Sequence, residues 1–79
     1  MSKTILVVDD EKPIADILQF NLIKEGYKVI CAYDGDEALE KVEEEQPDLM
    51  LLDIMLPKMD GLTVCQRVKS VVNIPIVIL

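Results

Sequence analysis

Leu49-Met50-Leu51-Leu52-Asp53 is a run of four aliphatic residues that ends on a carboxylate. The same arrangement occurs earlier in the chain, as Ile5-Leu6-Val7-Val8 followed by Asp9-Asp10. A short, wholly apolar run of this kind reads as a strand buried on both faces. A charge placed directly after such a run is costly unless it lies at an exposed strand tip or is paired. Two strands that each deliver acids at their C-terminal tips therefore predict one acidic pocket at the top of a parallel sheet. Such a pocket can hold a hard divalent cation and present a carboxylate oxygen as a nucleophile. A plainer reading stays open for Asp9-Asp10, where an acid at a strand-to-helix junction caps the helix that follows.

Outward from these two runs, the hydrophobic period alternates between strand and helix. Thr4–Val8 reads as a strand, and Pro13 opens a helix in which Ile14, Ile17, Leu18, Asn21 and Leu22 follow at helical spacing. Gly26 closes that helix as a left-handed cap. Tyr27–Tyr33 is a second strand, Asp34-Gly35 a turn, and Asp36 the cap of a short helix with Ala38, Leu39 and Val42 inward. Gln46-Pro47 breaks the chain before a third strand, Asp48–Asp53. After the loop from Ile54 to Gly61, in which Asp60-Gly61 reads as a turn and Lys58 as a solvated residue, a third helix spans Leu62 to Val72. Its expected apolar face is Leu62, Cys65, Val68 and Val72. Ile74–Leu79 reads as a fourth strand, with Pro75 near its start, where a strand tolerates proline best.

The order β-α-β-α-β-α-β with short links predicts an α/β, doubly wound parallel sheet. In such sheets ligands bind beyond the carboxyl ends of the strands, where strand order reverses. The first and third strands would flank that point, which is where Asp9, Asp10 and Asp53 stand.

Composition narrows the function classes. The chain has 79 residues and a net charge of -7, with eight basic residues and no basic cluster. This argues against direct contact with nucleic acid or an anionic membrane. No apolar stretch approaches a membrane span, and Lys3 with the short Ile5–Val8 run, followed at once by charges, does not read as a signal peptide. Cys31 and Cys65 lie apart within apolar patterns and read as small core residues of a reduced, cytoplasmic protein. Histidine is absent, which excludes a Ser/His/Asp triad and most zinc sites.

Three converging carboxylates repel one another, and Mg²⁺ relieves that repulsion while accepting oxygen ligands in an octahedron. With the cation neutralising charge on a transferred phosphoryl group, Asp53 can attack an activated phosphorus atom, and the product is an aspartyl phosphate.

Ile5-Leu6-Val7-Val8-Asp9-Asp10-Glu11, Asp48-Leu49-Met50-Leu51-Leu52-Asp53-Ile54-Met55-Leu56-Pro57 and Met59-Asp60-Gly61 together resemble the signature of bacterial response-regulator receiver domains. Asp34-Gly35 and Ile74-Pro75-Ile76 also fit. The Asp-Glu-Lys-Pro and Met-Leu-Pro stretches resemble the class whose regulators carry a C-terminal winged-helix DNA-binding domain, closest to a cell-envelope regulator of low-GC Gram-positive bacteria. The resemblance implies a flavodoxin-like receiver fold, with Asp53 as the phosphoacceptor in a two-component switch rather than a turnover enzyme. It also implies that Asp10 is the main Mg²⁺ ligand, that Asp9 acts directly or through water, and that the backbone carbonyl of Met55 completes the protein ligands. The phosphoryl donor would be a phosphohistidine on a partner sensor histidine kinase.

Receiver domains have five strands and five helices, of which residues 1–79 account for four strands and three helices. The chain therefore reads as the N-terminal part of a receiver domain, without the DNA-binding output domain. It stops before the family's Ser or Thr after the fourth strand and before its Lys on the fifth. Weak Mg²⁺ binding, an incomplete switch and a homo-oligomer through an exposed fourth strand are expected on that reading. Two other functions compete with it. One is an inactive, self-associating structural fragment. The other is a Mg²⁺-dependent phosphohydrolase, against which the adjacent acids count, because such enzymes usually carry an Asp-x-Asp pattern after the first strand.

Overall fold

The computed structural model describes residues 3–53, 55, 56 and 60–79. Four strands and three helices alternate along the chain: β1 (Thr4–Val8), α1 (Lys12–Lys24), β2 (Lys28–Ala32), α2 (Gly35–Glu45), β3 (Leu49–Leu52), α3 (Gly61–Val71) and β4 (Ile76–Ile78). Every strand pair is parallel and the sheet order is β2-β1-β3-β4. The aliphatic runs Ile5–Val8 and Leu49–Leu52 become the two central strands because only a position covered on both faces can bury each of their side chains. β2, β3 and β4 fall a residue or two inside the expected limits, whereas α1, α2 and α3 each begin a residue or two earlier than expected.

The strand pleat divides the core in two. Leu6, Val8, Met50 and Leu52 face α2 and α3, where they join Ala38, Val42, Val64 and Val68. Ile5 and Val7 face the other way and pack with Ala15, Leu18 and Leu22 of α1. The first layer is closed by two helices that touch each other. The second has α1 alone, lying over β1 and β2, so Leu49 and Leu51 of β3 stay half-buried on that side.

The helix caps differ from the expected ones. Asp34, not Asp36, caps α2: its carboxylate accepts from the Glu37 N–H at 2.8 Å. Glu37 reaches back and accepts from the Tyr33 N–H at 2.7 Å, the reciprocal arrangement of a capping box shifted by one residue. Asp60 does more than turn the chain, because its carboxylate accepts from Thr63 N–H at 2.9 Å and caps α3. The acids beyond β1 do not cap α1: its N-cap is Glu11, which makes no side-chain cap bond, and Pro13 sits in the first turn. Gly26 takes the left-handed conformation expected of it, with φ +97°.

Helix faces were only partly legible. In α1, Ile14 and Ile17 lie outward and Ala15 takes the buried position, because the contact stripe runs Ala15, Leu18, Leu22. In α3, Val64 and Val68 are buried with Cys65 and Val72 packed beside them, while Leu62 is exposed.

Gln46 ends α2 at φ 48°, ψ 62°. A side chain at this left-handed position costs about 1 kcal/mol, and glycine avoids that cost at some loss of unfolded-state entropy. Gln46→Gly is expected to raise stability by about 0.5 kcal/mol in urea unfolding. A loss of stability would mean that the Gln46 side chain contributes packing that outweighs its backbone strain.

Candidate functional site

The register decides which groups meet. Val8 pairs with Leu52, so the residues that follow, Asp9 and Asp53, leave the sheet side by side. The ladder continues past both strands: Asp53 N–H donates to Val8 O at 2.9 Å, and Asp9 N–H donates to Ala32 O at 3.1 Å. Each aspartate is thereby tied by its backbone to a neighbouring strand. β1 feeds α1 on one face and β3 feeds α3 on the other. The crevice between the ends of β1 and β3 is therefore the point where the winding reverses.

Asp9, Asp10 and Asp53 each bring a carboxylate oxygen to within 4.8 Å of the others. Their environments differ. Asp9 is buried, at 4% exposure, Asp53 is half-buried and Asp10 is exposed. Asp9 Oδ1 accepts from Glu11 N–H at 2.9 Å, and Asp53 Oδ1 accepts from Met55 N–H at 3.0 Å. Both side chains are thus held by the backbone two residues further on, and each keeps its second oxygen for another partner. No buried side-chain nitrogen or oxygen lacks a hydrogen bond among the described residues.

The donor set suits a hard cation. Mg²⁺ takes oxygen ligands at about 2.1 Å, which places ligand atoms about 3 to 4 Å apart in an octahedron. The three carboxylates need only a small inward movement, or an intervening water, to meet that requirement. Cysteine and histidine ligands, which would favour a softer metal, are absent from the cluster.

Of the four residues expected at the site, the three aspartates are brought together. Met55 lies beside them, strongly exposed, with its N–H turned to Asp53. Lys58, expected to be a solvated loop residue, falls outside the described residues, as do Ile54, Pro57 and Met59. Sequence reasoning did not anticipate Asp48. Its carboxylate accepts from Thr4 N–H at 2.8 Å while its own N–H donates to Thr4 O at 2.7 Å. This clip joins the lower ends of β1 and β3 and sets the register that aligns Asp9 with Asp53 above. An acid immediately before an apolar strand was the available signal.

The cysteines are free thiols, each packed beside a core layer. Burial, reinforced by the nearby Asp16 carboxylate, pushes the Cys31 thiol above its usual range. Cys31 is therefore an apolar filler at neutral pH and a poor nucleophile.

A parallel α/β sheet with an acidic crevice at its switch point defines a class of phosphoryl-handling and cation-binding domains. The comparisons with known proteins are more specific. Residues 5–79 match the family described as the response regulator receiver domain. A two-component response regulator from Clostridium difficile is 32% identical with a TM-score of 0.95, and the match covers 98% of this chain and 64% of that one. The N-terminal domain of a response regulator receiver protein from Methanoculleus marisnigri is 42% identical with a TM-score of 0.91, over 95% of this chain and 63% of that one. The BeF3-activated N-terminal receiver domain of RstA from Klebsiella pneumoniae is 37% identical with a TM-score of 0.91, over 96% and 65% respectively. The chain belongs to the response regulator receiver domain family. It spans less than two thirds of each of these relatives. Among the described residues, no helix is long and apolar enough to cross a membrane.

Proposed function

We propose that Asp53 accepts a phosphoryl group from a phosphohistidine of a sensor histidine kinase, with Mg²⁺ held by Asp9, Asp10, Asp53 and the backbone carbonyl of Met55. The observation that carries this reading is the convergence of three carboxylates within 4.8 Å at the switch point of a receiver-family sheet. An Asp53 oxygen forms the new O–P bond as the P–N bond to the imidazole breaks. The electron pair returns to the imidazole nitrogen, which takes a proton. Because Oδ1 is occupied by the Met55 N–H, Oδ2 is the freer oxygen for attack. When bound, the metal neutralises charge on the transferred phosphoryl oxygens. Exposed Asp10 would be the main carboxylate ligand of the metal, and buried Asp9 would act directly or through water.

The reading extends to the setting. The domain acts in the cytoplasm as a switch within a transcription regulator, and contact with DNA belongs to a separate winged-helix output domain of the low-GC Gram-positive type. The net charge of -7 supports keeping nucleic acid away from this segment. The test is incubation of the chain with acetyl phosphate, with and without Mg²⁺. A phosphoryl adduct that maps to Asp53 and disappears on chelation supports the reading. Modification elsewhere, or none in a folded chain, ends it.

A second reading, self-association, is favoured by one observation. β4 is an outer strand of the sheet, Val77 and Ile78 are exposed on it, and Leu79 is exposed directly after it. Unpaired strand edges flanked by apolar side chains invite pairing with another copy. Sedimentation of the 79-residue chain is expected to give a dimer or larger species at tens of micromolar. A monomer at that concentration would end this second reading.

A further inference from the structure

The segment that follows Asp53 is anchored at one described residue. Met55 is 79% exposed, yet its neighbour Leu56 is only 9% exposed and belongs to the core layer of Leu52, Val64 and Val68. Loops at the mouth of a site usually lie over the surface, so a buried leucine three residues beyond the acceptor calls for a reason. The Met55 N–H that holds Asp53 Oδ1 belongs to the residue directly before it. Leu56 in the core thus anchors the chain one residue beyond the N–H that holds the Asp53 carboxylate.

We propose that Leu56 is a positioning residue: its insertion between β3 and α3 holds the Met55 peptide, and through it the Asp53 carboxylate, in the orientation that binds the cation and accepts the phosphoryl group. The argument is mechanical. An exposed, unanchored peptide would leave the Asp53 side chain free to sample several rotamers about its terminal bond. A carboxylate held in one orientation loses less freedom on binding. Residues that orient a metal ligand typically change affinity by about tenfold or more when removed. The proposal rests on the assignment of Asp53 as acceptor and Mg²⁺ ligand, and its test separates the two.

Two measurements are made on the 79-residue chain carrying Leu56→Ala, with the milder Leu56→Val should the alanine variant unfold, Leu56→Met as the volume-conserving rescue, and Val68→Ala as a deletion elsewhere in the same core layer, on α3. The first, without metal, is the Met55 amide proton resonance, which a bond to a carboxylate moves downfield. It is expected to return towards its random-coil position in the Leu56→Ala and Leu56→Val chains and to stay in place in Leu56→Met and Val68→Ala. The second is Mg²⁺ affinity by calorimetric titration, expected to fall about tenfold in Leu56→Ala and to be unchanged in Val68→Ala at matched folded fraction. An unmoved Met55 amide in folded Leu56→Ala or Leu56→Val overturns the positioning role. So does an equal loss of affinity in Val68→Ala, which would reduce the effect to general destabilisation. If the amide moves as expected but the unaltered chain takes up no Mg²⁺, the anchoring of Asp53 stands and the functional assignment of the site fails.

Discussion

Asp53→Asn is expected to remove phosphoryl uptake from acetyl phosphate entirely, with no residual adduct in the intact mass. The amide oxygen is neutral and is a far weaker nucleophile than a carboxylate, so the O–P bond has nothing to form from. The substitution is nearly isosteric and keeps an acceptor for the Met55 N–H, so the turn that now bonds Asp53 Oδ1 at 3.0 Å can persist. It also removes one of three mutually repelling charges, and the variant is expected to be at least as stable as the parent. This combination matters for the test: activity is lost while urea unfolding shows no loss of stability. Adduct formation retained in Asp53→Asn would place the acceptor elsewhere, and a collapse of stability would mean that Asp53 serves the fold rather than the chemistry.

Leu6→Ala is the substitution expected to damage the fold most. Leu6 is fully buried in β1, the strand paired to β2 on one side and β3 on the other. Truncating a buried leucine leaves a cavity and costs about 3 to 5 kcal/mol. At about 0.05 to 0.15 kcal/mol per residue, a chain of 79 residues has about 4 to 12 kcal/mol in total. The variant is therefore expected to lose a quarter or more of its stability, seen as a lower urea midpoint at unchanged slope. Leu62 is the internal contrast. It is the same residue type, but 56% exposed on α3, and Leu62→Ala should cost under about 0.5 kcal/mol. Equal losses at the two positions would contradict the division of the core described above.

That contrast also marks where sequence reading faltered. Helical spacing identified a stripe on α1 and on α3, but a stripe has a width, and the pattern does not say which edge faces the sheet. Ile14, Ile17 and Leu62 were placed on the stripe by helical spacing, yet α1 and α3 turn the adjoining Ala15 and Val64 to the core instead. Small residues win there because a helix lying on a sheet must approach it closely. The caps show a similar ambiguity. Asp34 and Asp36 are both good caps by type, and the bond from Glu37 back to Tyr33 N–H selected the first.

The strands and their acids were plain in the linear pattern. An unbroken aliphatic run is tolerable only in a strand covered on both faces, and a carboxylate at its end has to sit at the tip. Those two facts, with the alternating order of strands and helices and its short links, were enough to predict the parallel sheet, its winding and the acidic tips at Asp9, Asp10 and Asp53. The sequence predicted one shared pocket but not its geometry, because tips of strands separated by some forty residues lie level only if the register is right. Tertiary structure decided that: the Asp48 clip to Thr4 and the pairing of Val8 with Leu52 set the two strands level. The burial of Leu56 then determined how one carboxylate points. Composition and period are local properties of the chain, whereas register and orientation arise from contacts between distant segments.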